Sequence, residues 1–114
     1  MLMSQTLKKI WIKAGAVQEL KVGTPKLVDA NNTRIAIFKV EGAEAGIYAI
    51  EDVCTHDDGP VAEGPVEGCV IECPRHGAKF DVRSGAVLCM PAVTPIRTFP
   101  VRVTGQNIEV EVSE

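Results

Sequence analysis

The chain has 114 residues, 46% of them hydrophobic and 24% charged, with a net charge of −3 and a pI near 5.4. That length predicts one domain, 1–114, with a modest core that needs no disulfide staples. The acidic balance excludes the basic signature of a nucleic-acid binder, and no stretch approaches the ~20 apolar residues of a membrane span.

In chain order, the first residues through Lys8 and Lys9 to Trp11 hold no long apolar run with a small-residue cleavage site, so a cytoplasmic location is expected. Residues 8–13 predict a first strand around Ile10 and Ile12, and residues 14–22 a turn with a short helical piece. A hairpin is expected from 25–30 and 33–41, turned at Asn31-Asn32, because Asn tolerates the left-handed conformation such turns demand. Gly42 to Gly46 turns the chain into a strand from Ile47 to Glu51. A bridge from Val61 to Glu72 ends in a strand at 69–72, and residues 79–82 and 86–88 flank a turn at Arg83-Ser84-Gly85. At the end Phe99, Val101 and Val103 alternate on one strand and Ile108, Val110 and Val112 on the next. Many short strands without a capped, periodic helix of ten or more residues predict an all-β fold.

The chemistry concentrates in Cys54-Thr-His56 and Cys73-Pro-Arg-His76, two Cys-plus-His pairs with sixteen residues between His56 and Cys73. They use both histidines of the chain and two of its four cysteines. Two thiolates and two imidazoles suit a [2Fe–2S] cluster with sulfur on one iron and nitrogen on the other. A structural zinc site also takes two Cys and two His, but usually as like pairs, whereas both halves here are mixed. The bland alternative is two buried cysteines and two exposed histidines that meet nothing. Cys69 and Cys89 read as buried free thiols of a reducing compartment, with a disulfide between them left open.

The pattern Cys-x-His, sixteen residues, Cys-x-x-His resembles that of the Rieske family over about residues 48–100. The resemblance implies stacked antiparallel sheets, a β-sandwich, with a small cluster-binding subdomain at about 50–90. It implies that Cys54 and Cys73 hold an inner iron and His56 and His76 an outer, surface iron. Imidazole donates less charge than thiolate, so the reducing electron settles on the outer iron.

Departures from the respiratory branch of that family carry further expectations. The branch ties its ligand loops with a disulfide, where this chain has Gly59 and Arg75. Its serine and tyrosine donors are matched by Ala78 and Phe80, which donate nothing, so a low potential is expected. Asp57 and Asp58 should oppose reduction and Arg75 favour it. Met90 to Pro95 resembles the family's third loop, whose apolar side chains would shield the cluster.

After the cluster takes both histidines, none remains for the mononuclear iron of a Rieske oxygenase. The resemblance therefore implies not an enzyme but a one-electron carrier, a ferredoxin. Its partners would be a reductase and a terminal oxygenase such as an aromatic-ring dioxygenase. The small subunit of an assimilatory nitrite reductase, or an accessory ferredoxin of iron–sulfur assembly, is the alternative.

Overall fold

Alternation of apolar residues and frequent turn signals set the architecture. The computed structural model describes residues 8–43 and 45–113. Among these, the strands in chain order are β1 (Lys9–Ala16), β2 (Lys26–Ala30), β3 (Thr33–Val40), β4 (Gly46–Glu51), β5 (Val66–Glu67), β6 (Val70–Glu72), β7 (Lys79–Asp81), β8 (Val87–Cys89), β9 (Thr98–Phe99), β10 (Val101–Thr104) and β11 (Asn107–Ser113). A single 3₁₀ turn at Val17–Glu19 accompanies them. They form three antiparallel sheets, ordered β1-β11-β10, β2-β3-β4-β9 and β5-β6-β7-β8.

The second sheet is central, and β3 shows why its middle, Ile35 to Phe38, is apolar throughout. Ile35 and Ile37 face a core shared with Ala14, Ile108, Val110 and Val112 of the first sheet. Ala36, Phe38 and Val40, on the opposite face, join a second core with Ile71 and Phe80 of the third sheet. A strand buried on both faces has no polar positions to alternate with. At the Asn31-Asn32 turn both residues take left-handed φ values, 50° and 65°, as the hairpin expectation required.

Two expectations need correction. The first strand does not stop at residue 13 but runs to Ala16, because a register shift between Lys13 and Gly15 absorbs an irregular residue while pairing with β11 continues. The expected strand from Phe99 to Val103 is two strands in two sheets. Pro100, which has no amide proton to donate, separates them. Phe99 pairs with Ala49 in the central sheet, whereas Val101 pairs with Val110 in the first.

Candidate metal centre

The two Cys–His segments fold into loops of the same design. The Cys54 amide donates to the Gly59 carbonyl at 2.7 Å, and the Cys73 amide to the Ala78 carbonyl, also at 2.7 Å. In return the Cys54 carbonyl accepts from Asp58 at 2.7 Å and the Cys73 carbonyl from Gly77 at 3.1 Å. The fourth residue after each cysteine carries the left-handed turn, with φ 63° at Asp58 and 79° at Gly77. Glycine reaches that region freely, and Asp is among the few side chains that tolerate it. The two loops match in backbone although their histidines stand two and three positions after the cysteine.

Packing then sorts the four residues by depth. Cys54 and Cys73 are 0% and 1% exposed, within the core that also holds Ala78, Phe80 and Ala92. His56 and His76 are exposed, and their rings meet edge to face with centroids 4.8 Å apart. The two thiols lie within 4.8 Å of each other, as do the facing imidazole nitrogens, and the Asp57 carboxylate comes within that same distance of each pair. The sequence-derived residues are thus all brought together.

Burial is the largest influence on both thiols and pushes each up. At Cys54 it prevails and the thiol lies above its ordinary value. At Cys73, the backbone amides of Arg75 and His76 outweigh burial, helped by Cys54 and the Arg75 charge, and the thiol lies below it. Hydrogen bonds from Arg75 and then the Gly59 amide hold the Asp57 carboxyl well below the usual carboxylate range. Asp57 raises Arg75 in turn.

Two contributors escaped the sequence reading. Asp52, only 8% exposed, accepts the amides of Val61 at 2.9 Å and Ala62 at 2.8 Å on one oxygen, tying the start of the bridge to the strand end that leads into Cys54. An acidic residue followed at nine and ten positions by two apolar ones carries no recognisable signal for this. Asp57 and Arg75, expected to act as opposing solvated charges, instead pair directly, Nε to Oδ2 at 2.6 Å.

Two further expectations fail on burial. Cys89 is exposed, because it lies at the end of β8 next to the proline-rich loop. Cys69 is half-buried, and both thiols are free. Cys69 bonds through its carbonyl to Val82 while Cys89 pairs with Lys79, so the two sit at opposite ends of the third sheet. In the loop from Met90 to Pro95, only Ala92 turns into the core; Met90 is 75% and Val93 81% exposed. The loop is tied to the first ligand loop by the Thr55 hydroxyl, which donates to the Thr94 carbonyl.

Two buried thiols beside two exposed imidazoles have the donor set and layering of a mixed-ligand iron–sulfur protein. Residues 10–100 match the Rieske [2Fe–2S] domain. The chain belongs to that family. It is 38% identical over 103 residues to the ferredoxin component of the naphthalene 1,2-dioxygenase system of Pseudomonas aeruginosa, covering 90% of this chain and 96% of the relative. Among solved structures, a Sphingomonas yanoikuyae B1 ferredoxin superposes with a TM-score of 0.81 at 28% identity, over 89% of this chain and 97% of that one. A chain from a complex of reduced oxygenase and oxidized ferredoxin in carbazole 1,9a-dioxygenase also gives 0.81, at 34% identity, over 89% and 92%. Among the described residues no helix is long and apolar enough to cross a membrane.

Proposed function

We propose that this chain is a cytoplasmic ferredoxin that carries single electrons from a reductase to the terminal oxygenase of an aromatic-ring dioxygenase system. Cys54, His56, Cys73 and His76 are the proposed ligands, in one domain, 1–114, whose cluster-binding subdomain is about 50–90. The observation that carries the reading is the depth order at the site: both thiols in the core, both imidazoles exposed. These residues would hold a [2Fe–2S] cluster that would supply one-electron exchange, with the exposed histidines on the side a partner meets.

The chain's own residues support that task in three ways. The buried cysteines anchor the site in the same core as Phe38 and Phe80, which resists rearrangement. The exposed His56 and His76 let a partner protein approach within a side chain's length of the site. Ala92, folded over the core and held through Thr94, keeps the third loop against the first. With His56 and His76 given to a cluster, the chain has no further histidine for a second, separate two-histidine, one-carboxylate site of oxygen activation.

The test is reconstitution. The purified chain is added to a nicotinamide-dependent reductase and a ring-hydroxylating terminal oxygenase, and dihydroxylated product is measured. Product formation that depends on this chain supports the reading. A loaded chain that is reduced by the reductase but yields no product with any ring-hydroxylating oxygenase would move it to another pathway.

A further inference from the structure

Asp57 follows one histidine and Arg75 precedes the other, eighteen positions apart. Their side chains meet in two prongs, Arg75 Nε to Asp57 Oδ2 at 2.6 Å and Nη2 to Oδ1 at 3.0 Å. The carboxylate is itself fixed, since the Gly59 amide donates to Oδ1 at 3.0 Å. The guanidinium packs against Gly59: a Cβ there would lie 2.8 Å from Arg75 Cζ. Asp57 and Arg75 side chains are 20% and 34% exposed, so water only partly screens the contact.

The backbone hydrogen bonds described above close each ligand loop upon itself, Cys54 to Gly59 and Cys73 to Ala78. They fix each loop's shape but not the distance between loops. We propose that the Asp57–Arg75 pair is the clamp that sets that distance, and that Gly59 is small in order to admit it. Asp57 and Arg75 are positioning residues, acting through the loops that carry the four ligand candidates and, for Asp57, through its Oδ2 at 3.6 Å from His76 Nε2. The proposal rests on the reading that both loops hold one cluster.

The test uses the loaded protein with Asp57→Asn, Arg75→Gln, the double variant, and Gly59→Cys with Arg75→Cys. Cluster loss to a chelator is followed by visible absorbance, and midpoint potentials are measured in parallel. Each single variant is expected to lose the cluster roughly 3- to 5-fold faster, the scale of a partly exposed ion pair. The double variant should be no faster than the worse single, because one contact is broken only once. The oxidised cysteine pair should restore slow loss, and reducing its disulfide should abolish the rescue. Midpoints should move in opposite directions, up for Asp57→Asn and down for Arg75→Gln, which loss of loop structure alone would not produce. If the singles fail to fold, slow loss from the oxidised cysteine pair and fast loss on its reduction still supports the clamp, and equal rates overturn it. Loss rates within twofold of wild type, or single effects that simply multiply, would overturn the clamp while a fully loaded wild type left the cluster reading standing. A wild type without iron and sulfide would overturn both.

Discussion

Ala78 closes the second ligand loop by accepting the Cys73 amide at 2.7 Å, and its methyl group is wholly buried in the core that holds both cysteines and Phe80. At this position and at Phe80 the site is lined with groups that cannot donate a hydrogen bond to sulfur. Sulfur that gains negative charge on reduction is therefore less stabilised than it would be by hydroxyl donors.

The midpoint potential should accordingly lie towards the low end of the roughly −150 to +300 mV range of such centres. Ala78→Ser and Phe80→Tyr should each raise it, and the pair should raise it further. If a new hydrogen bond favours the reduced state by ~1.4 kcal/mol, the shift is about 59 mV for one electron. Protein-film voltammetry at neutral pH reads it. A wild-type midpoint near the top of the range would show that other donors set the potential.

Gly64 is under the tightest backbone constraint near the site. A Cβ on it would lie 1.7 Å from the carbonyl oxygen of Glu72, the residue that leads into Cys73. Gly64→Ala must push the bridge away from that strand, at a cost of roughly 1–3 kcal/mol, as for other overpacked sites. Gly105→Ala, at a turn with φ 63° and open space around it, should cost only about 1 kcal/mol. Urea unfolding of the two variants compares them directly.

These contacts mark what could be read from the chain alone. The four ligand candidates, the Asn31-Asn32 hairpin and the alternation of Ile108, Val110 and Val112 were legible because each is signalled within a few residues. The split at Pro100 had a local signal too, a proline inside an alternating strand, but which sheet each half joins depends on partners fifty residues upstream and nine downstream. The Asp57–Arg75 pair and the Asp52 contacts have no local signal, since they form only when separate loops meet. Cys89 misled because a cysteine between Leu88 and Met90 looks like core, whereas β8 is an edge strand and both neighbours are exposed.

Asp81 gives the fold a dependence on pH. Arg83 donates to it from Nε at 3.0 Å and Nη2 at 2.7 Å, and the Arg83 amide adds a bond at 2.8 Å. The Arg83 side chain foremost, then that amide, lower the Asp81 pKa against the opposing effect of burial. A carboxylate depressed in the folded state contributes stability that is fully present above its unfolded value near 3.9 and is lost as pH falls through its folded value. Asp81→Asn should therefore destabilise the protein by ~1–2 kcal/mol at pH 7 and by progressively less below about pH 4. Urea midpoints of the two proteins between pH 3 and 7 test the convergence.

Cys89 should react as a solvent thiol and Cys69 as a shielded one. Treating the native loaded protein with a thiol reagent should modify one cysteine rapidly, and Cys89→Ser should remove that phase without altering the visible spectrum. Rapid modification of two or more would show that the third sheet or the ligand loops open readily.

EPR of the dithionite-reduced protein, alongside metal and sulfide analysis, tests whether Cys54, His56, Cys73 and His76 together hold one mixed-ligand cluster. Two irons and two acid-labile sulfides per chain are expected, with a rhombic signal whose average g lies below that of an all-cysteine cluster and which His76→Cys alters. Stoichiometric zinc without sulfide, or a signal of the all-cysteine kind from the wild type, would contradict that ligand set.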